Sequence, residues 1–215
     1  LACACLGIIM GAAYMFFFSA LLVGNDTKYV YIDNDDTIDS VYTKMSEFSK
    51  KGTQMTGFKM LVNNSKYADN IRTGRYALRP GEGSFVVFRH LKNGLQTPVN
   101  LVVPSVRTVD RLAAEFSKKL MLDSATIYHA LADEATCQKY GYDTTTIAAM
   151  FIPNTYDIYW NVSTEKLLDR MHKECNRFWN AERKEKANAM KLSPIEVSTL
   201  ASIIDEETAN DGEKP

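Results

Sequence analysis

The stretch LSPIEVSTLASIIDEE, residues 192–207, decides how the C-terminal part of this chain folds. It opens with Ser193, Pro194 and Glu196, which together form a capping box with proline at the first helical position. The serine hydroxyl and the glutamate carboxylate of such a box each accept a hydrogen bond from a backbone N–H group at the start of the helix. The pattern therefore predicts a helix that begins at Pro194.

Three consecutive carboxylates, Asp205, Glu206 and Glu207, stand at the end of this predicted helix. A helix advances about 100° per residue, so position 207 falls on the apolar side, which carries Val197, Leu200, Ala201, Ile203 and Ile204. Glu206 points away from that side and Asp205 lies at its far edge. We expect the apolar side to be buried, and burial raises the pKa of a carboxyl group.

Glu207 is therefore a candidate for acid–base chemistry. A glutamic acid that keeps its proton near neutral pH can act as the general acid in the cleavage of a glycosidic bond. The alternative is that the helix simply ends at Glu207 in an acidic, solvated tail. Carboxylates at a helix C-terminus oppose the helix dipole, so this arrangement does not favour stability.

The composition excludes several classes of protein. The chain has 215 residues and a formal net charge of −1, which gives no electrostatic reason to bind nucleic acid. Phosphate-binding glycine loops and zinc-type cysteine spacings are absent from the sequence. His90, His129 and His172 are far apart in the sequence, and none has a ligand-spaced companion. We expect no metal site and no cofactor, and we expect Cys137 and Cys175 to be unpaired thiols.

The N-terminal residues 1–24, LACACLGIIMGAAYMFFFSALLVG, contain no charged side chain. About 20 apolar residues are enough to span a bilayer as a helix, so we predict a single transmembrane helix. A secretory signal would have a small-residue cleavage site, and a buried core helix would carry a polar face. The chain begins without methionine or flanking charges, so its orientation cannot be read from charge, and we expect both ends to be incomplete.

The rest of the chain predicts an α+β fold in two regions. Residues 28–104 read as a small α+β module, with strands near Tyr29 and Tyr76, helices that begin after Thr37 and at Ser84, and a last strand in LVVP. Residues 105–215 read as a second, mixed α/β region. It contains helices at 108–122 and 124–135, an aromatic-rich stretch, and one long helix at 164–191 that Ser163 caps.

Three segments resemble the YceG-like family of MltG-type endolytic murein transglycosylases. LASIIDEET, residues 200–208, is similar to the family signature LASIVEKET, and FIPNTYDIY, residues 151–159, resembles the upstream FPDTY segment. GRYALRPGEGSFVVFRHLKNG, residues 74–94, is similar to the G-x-Y-x-L-x-x-G…L-x-x-G segment of the family's LysM-like subdomain. Their order behind an apolar segment also matches the family.

The resemblance implies a single-pass protein of the bacterial inner membrane that cuts peptidoglycan glycan strands on the periplasmic side. Residues 28–104 would be a LysM-like module and residues 105–215 part of the transglycosylase domain. Glu207 would protonate the oxygen between N-acetylmuramic acid and N-acetylglucosamine, and would then accept the proton of the muramyl C6 hydroxyl as a 1,6-anhydro ring closes. The implied partners are glycan strands, the membrane and cell-wall synthesis proteins, with no metal, cofactor or nucleic acid.

The sequence also departs from the family pattern. Asp205 replaces the first glutamate, which argues against position 205 as the catalytic one, and Asn154 replaces an aspartate. Asn154, Tyr156 and Glu206 are weaker candidates for substrate binding. Family members continue beyond this helix with a segment rich in N-R-L and L-Q-x-D-P-T-V. We therefore expect residues 105–215 to be a truncated catalytic domain that is inactive as it stands.

Two other functions fit the residues. One is a non-catalytic peptidoglycan-binding anchor or scaffold for cell-wall synthesis. The other is a hydrolase that uses two carboxylates, about 5 to 9 Å apart, and releases free reducing ends.

Overall fold

The computed structural model describes residues 2–22, 24–49, 52–105 and 108–207, and for residues 2, 206 and 207 it describes the backbone alone. The chain divides into two compact units, Leu1–Pro98 and Val99–Pro215, which we call unit 1 and unit 2. Both contain helices and a short antiparallel sheet, so the predicted α+β class is confirmed.

Unit 1 contains one two-stranded sheet and several helices. Its elements are α1 (Ala2–Ala13), a π-helix (Tyr14–Phe18), β1 (Lys28–Ile32), α2 (Ile38–Phe48), α3 (Thr53–Asn63), β2 (Gly74–Leu78) and α4 (Ser84–Asn93). Strand β1 pairs antiparallel with β2, with Val30 opposite Tyr76. The two strands and the helices after Thr37 and at Ser84 are confirmed. Helix α3 was not predicted, because its apolar residues are interrupted by Gly57 and by polar side chains.

The apolar N-terminal run is not one continuous α-helix. Helix α1 ends at Ala13, the π-helix packs against α3 and α4, and Leu21 and Leu22 are buried in the core of unit 1. Among the described residues, no helix is both long and apolar enough to cross a membrane. The predicted transmembrane helix over residues 1–24 is therefore not supported, since the second half of the run packs within unit 1. Residues 1 and 23 lie outside the described part.

A network of charges joins β1 to α2 in unit 1. The Lys44 ammonium lies 2.7 Å from the Asp33 carboxylate and 2.5 Å from that of Asp36, whose side chain is only 6% exposed. Burial opposes ionisation of Asp36, but hydrogen bonds from Lys44, Ser40 and the Asp33 backbone outweigh it and lower the pKa of Asp36. Burial likewise opposes the charge of Lys44, yet its two carboxylate partners raise the pKa of Lys44.

We expect Lys44→Met to destabilise unit 1 by about 2 kcal/mol at pH 7, because it leaves the Asp36 carboxylate buried without its partner. Because the pKa of Asp36 is lower in the folded state, this carboxyl group stabilises the fold at pH values above its pKa in the unfolded state. That contribution is lost as pH falls through its pKa in the folded state. The raised pKa of Lys44 stabilises the fold below its ordinary value, and that contribution is lost as pH rises through the folded pKa. The difference between wild type and variant should therefore become smaller as pH falls through the folded pKa of Asp36.

Urea unfolding followed by circular dichroism at neutral and acid pH measures this effect. Tryptophan fluorescence follows unit 2 separately, because Trp160 and Trp179 both belong to that unit. The unfolding transition of unit 2 should be the same in wild type and variant. Lys139→Met, which breaks an exposed pair with Glu165, is the matched control and should leave unit 1 unaffected. An equal loss at both pH values would contradict the assignment to Asp36.

Unit 2 also has one two-stranded sheet surrounded by helices. Its elements are β3 (Val99–Val103), α5 (Val109–Ser117), α6 (Ser124–Ala132), α7 (Glu134–Lys139), a 3₁₀ helix (Ile147–Met150), β4 (Asn154–Ile158), α8 (Thr164–Phe178), α9 (Ala181–Ala189) and α10 (Pro194–Glu207). Strand β3 pairs antiparallel with β4, with Leu101 opposite Tyr156. Strand β3 was predicted inside the module of residues 28–104, but it lies in unit 2.

Two predicted helices of unit 2 are wrong. The long helix predicted at 164–191 is two helices, because Asn180 caps α9 by accepting a hydrogen bond from the Arg183 N–H group at 2.9 Å. The helix predicted at 124–135 ends at Ala132, and Asp133 caps α7 in the same way. Strand β4 lies within the predicted aromatic-rich stretch and was not itself predicted. The cap of α8 by Ser163 is confirmed.

The core of unit 2 gathers both sheet and helices. Leu101, Phe116, Ile147 and Leu167 are completely or almost completely buried in one apolar cluster. Cys137 and Cys175 belong to the same cluster as free thiols, as expected. This core holds β4 and the 3₁₀ helix in place, and the segment between these two elements lines the candidate site.

Candidate functional site

A cavity of about 770 Å³ opens on the surface of unit 2. Its walls come from the 3₁₀ helix and the segment after it, the end of α8, helix α9 and helix α10. Representative lining residues are Ala149, Phe151, Ile152, Pro153, Phe178, Trp179, Arg183, Lys186, Val197, Ala201, Ser202 and Asp205. The lining is mainly apolar and aromatic, with a few polar groups, which is typical of ligand-binding sites.

The segment before β4 is held in place by two buried side chains. The ring of Phe151 lies 5.8 Å from the ring of Phe116, centroid to centroid. The Tyr156 hydroxyl donates a hydrogen bond to the Ile152 carbonyl oxygen at 2.9 Å. These contacts fix the turn at Pro153, so that residues 151–153 face the cavity.

Tyr156 and Asn154 were predicted as weak substrate-binding residues. The structure places Tyr156 in the core, 7% exposed, with its hydroxyl bonded to the main chain. Asn154 is exposed at the start of β4, and its side-chain oxygen accepts a hydrogen bond from the Thr155 N–H group at 2.8 Å. Neither residue is among those that line the cavity. Tyr156 contacts the site through the turn that its hydroxyl bond fixes, and substrate binding by either residue stays a prediction.

We expect Tyr156→Phe to destabilise unit 2 by about 1 kcal/mol, because it leaves the Ile152 carbonyl without the hydroxyl donor. Burial, together with the nearby Glu174 charge, raises the pKa of Tyr156, so the hydroxyl remains a donor at neutral pH. Urea unfolding followed by tryptophan fluorescence measures the loss. Tyr159→Phe is the control, because Tyr159 is 55% exposed. Equal effects of the two substitutions would show that the Tyr156 hydrogen bond does not stabilise the turn.

The predicted start of α10 is confirmed. The Glu196 carboxylate accepts a hydrogen bond from the Ser193 N–H group at 2.7 Å, and the Ser193 hydroxyl accepts one from the Glu196 N–H group at 3.2 Å. These two bonds lower the pKa of Glu196. The capping box thus fixes where α10 begins and how its residues are distributed around the helix.

The predicted burial of the apolar side of α10 is wrong. Leu200, Ile203 and Ile204 are 45%, 43% and 45% exposed. Helix α10 packs mainly against α9 and the 3₁₀ helix, and Val197 is the residue of the apolar side that packs against the core of unit 2. Val197, Ala201 and Ile203 of this side, together with Asp205, line the open cavity.

Of the three carboxylate side chains at the end of α10, the structure describes that of Asp205. Asp205 is exposed and lines the cavity, whereas the sequence placed it at the edge of the apolar side. Positions 206 and 207 belong to α10, but their side chains lie outside the described part of the chain. By the helical period, position 207 shares the face of Leu200 and Ile204.

Several cavity residues are absent from the candidates that the sequence suggests. Arg183 and Lys186 lie within the helix predicted at 164–191, where nothing marks them as functional, and they line the cavity beside Phe178 and Trp179. Trp179 is 8% exposed, and its ring packs edge-on against the Phe178 ring at 5.4 Å. The signal that could have revealed them is the aromatic pair directly before Asn180, a residue that favours helix N-caps.

The described residues contain no group of three histidine, cysteine, aspartate or glutamate side chains that could hold a metal ion. The expectation that the protein needs no metal or cofactor stays a prediction.

The comparison with protein families matches residues 30–215 to the YceG-like family. The match covers most of the chain, which therefore belongs to the YceG-like family. The resemblance inferred from the three sequence segments is confirmed.

The comparison with solved structures includes a yceG-like protein, lmo1499, from Listeria monocytogenes. It is 19% identical, the match covers 87% of this chain, and the TM-score is 0.48. The match covers 66% of the Listeria chain, so this chain spans just under two thirds of its length. The comparison with curated proteins gave no match.

Proposed function

We propose that this chain is part of an endolytic peptidoglycan transglycosylase that cleaves the bond between N-acetylmuramic acid and N-acetylglucosamine. The observation that carries the proposal is the shared cavity of unit 2. Residues 151–153, from the FIPNTY segment, and Ala201, Ser202 and Asp205, from the LASIIDEE segment, line the same cavity. Two stretches that resemble family motifs, far apart in the sequence, thus meet at one site of a size that suits a short oligosaccharide.

In the proposed reaction, Glu207 works alone. Its carboxyl proton passes to the glycosidic oxygen as the bond from the muramyl C1 atom breaks, and N-acetylglucosamine leaves with a hydroxyl group. The carboxylate then accepts the proton of the muramyl C6 hydroxyl while that oxygen bonds to C1 and closes a 1,6-anhydro ring. No water is consumed, and Glu207 is protonated again at the end because the C6 hydroxyl proton replaces the one it donated.

The proposal requires that position 207 be shielded from water when the glycan is bound. Leu200, Ile203 and Ile204 provide an apolar surface around that position, but they are more than 40% exposed in the described chain. The shielding must come from whatever covers this surface, either the bound glycan or further protein. Once the site is covered, desolvation would favour the protonated carboxyl that the first step needs.

We further propose that the N-terminal part attaches the protein to the bacterial inner membrane, with unit 2 on the periplasmic side. Apolar side chains of α1 support this, because Leu6, Ile8, Ile9 and Met10 are each more than 60% exposed. Unit 1 has the order β1–α2–α3–β2 with the strands antiparallel, and we propose that it serves as a LysM-like, glycan-binding module. Proteins of cell-wall synthesis are the proposed partners.

Digestion of purified glycan strands by the full-length protein, followed by mass spectrometry of the fragments, tests the activity. The proposal predicts internal cleavage with 1,6-anhydromuramyl ends. Fragments with free reducing ends would instead indicate a two-carboxylate hydrolase. Strands that bind but remain uncut would favour a non-catalytic peptidoglycan anchor.

A further inference from the structure

One wall of the unit 2 cavity carries positive charge. Arg183 and Lys186 both line the cavity, and they are three residues apart on α9, which places them on one face of that helix. Asp205 is the other charged residue in the described lining. The described lining thus has two cations against one carboxylate, and the cations lie together on α9.

Arg183 is held in position by the aromatic residue at the end of α8. Its Nη1 group donates a hydrogen bond to the Phe178 carbonyl oxygen at 2.8 Å, and its guanidinium carbon lies 4.2 Å from the centre of the Phe178 ring. The hydrogen bond uses one of the five N–H groups of the guanidinium. An arginine fixed in this way loses little further freedom when it binds a planar carboxylate.

Lys186 is more loosely held. Its ammonium lies 2.7 Å from the Glu182 carboxylate, and the two side chains are 71% and 70% exposed. A pair so exposed contributes little to stability, so Lys186 can exchange Glu182 for a ligand carboxylate at small cost. The cavity therefore offers one fixed cation and one adjustable cation beside an aromatic wall.

We propose that Arg183 and Lys186 bind a carboxylate on the muramyl side of the glycan strand, either the lactyl carboxylate or one of the stem peptide. This inference rests on the proposed function. N-acetylglucosamine is uncharged, so a carboxylate contact would distinguish the two alternating sugars. Such a contact would fix the register of the strand, so that each cut falls after a muramyl residue.

Nuclear magnetic resonance titration of the full-length protein tests the proposal without relying on turnover. The charged probes are the methyl glycoside of N-acetylmuramic acid, with a free lactyl carboxylate, and N-acetylmuramyl-L-alanyl-D-isoglutamine, with a peptide carboxylate. Their uncharged counterparts are the methyl glycoside of N-acetylglucosamine and the carboxamide of the muramyl dipeptide. We expect at least one charged probe to bind about tenfold more tightly than its counterpart, and the preferred probe identifies the source of the carboxylate.

Arg183→Gln and Lys186→Gln should each remove most of this preference while leaving the uncharged probes unaffected. Arg177→Gln is the matched control, because Arg177 is an exposed arginine of α8 that pairs with Glu174 and does not line the cavity. Equal affinities for charged and uncharged probes, a preference that survives both variants, or no binding of the charged probes would each overturn the proposal. Anhydromuramyl product formation is measured separately, so failure of this contact and failure of the activity are distinguishable.

Discussion

Glu207→Gln in the full-length protein is expected to lower the rate of 1,6-anhydromuramyl product release by about a thousandfold or more. General acid–base catalysis by one side chain contributes about 10²- to 10⁴-fold, and here the same carboxyl group serves both proton transfers. Glutamine has nearly the same shape, but it can neither donate a carboxyl proton nor accept one. Chromatography of the products released from purified glycan strands measures the rate.

Two neighbouring carboxylates provide the controls for this substitution. Asp205→Asn changes a residue that lines the cavity, and Glu206→Gln changes the next position along α10. Because neither is proposed to transfer a proton, both variants should keep rates within about tenfold of wild type, a small fraction of a catalytic acid's contribution. Product release that is unchanged in Glu207→Gln would remove Glu207 from its proposed role. A loss as severe in Asp205→Asn would contradict the proposal that Glu207 works alone.

Phe116→Ala is expected to cause the largest loss of stability, about 4 kcal/mol, because it empties a large volume in the core of unit 2. Phe116 is completely buried, and its ring packs against that of Phe151, which lines the cavity. The substitution should therefore both destabilise unit 2 and loosen the wall of the site.

Urea unfolding monitored by tryptophan fluorescence measures this loss, since Trp160 and Trp179 both lie in unit 2. Tyr128→Ala is the control in the same unit, because Tyr128 is 41% exposed on α6 and its truncation should have little effect. A loss below about 1 kcal/mol for Phe116→Ala, well short of the usual cost of a buried phenylalanine, would show that the two rings are not packed as described.

Local signals in the sequence were sufficient to predict where α10 begins. The capping box of Ser193 and Glu196 acts within four residues, and both of its hydrogen bonds are present. The burial of the apolar side of α10 was not predictable in the same way. Helical period shows which residues share a face, but packing against other elements decides whether that face is covered. Leu200 and Ile204 share the predicted face and remain exposed.

The breaks between helices were missed because residues that are common in helices continue on both sides of them. Asn180 and Asp133 each cap a new helix, but a single polar residue at such a position could equally lie on the surface of a longer helix. Missing the break at Asn180 also hid the cavity residues Arg183 and Lys186. Their position depends on the end of α8 at Trp179, whose side chain is buried in the core of unit 2.

The N-terminal run shows the same dependence on tertiary structure. Hydropathy alone cannot distinguish a long membrane helix from a shorter helix followed by core residues. In unit 1, Leu21 and Leu22 are buried beside β1 and α2 in one apolar cluster. The family could be recognised from the sequence because its motifs are local, whereas the site required the fold that brings residues 151–153 to α10.

Cleavage of glycan strands by the full-length protein in ¹⁸O-labelled water tests the central claim most directly. If the muramyl C6 oxygen attacks C1, as proposed for Glu207, the new ends contain no oxygen from the solvent. Mass spectrometry should then find unlabelled 1,6-anhydromuramyl ends. New reducing ends that carry ¹⁸O at C1 would show that water is the nucleophile and would contradict the account.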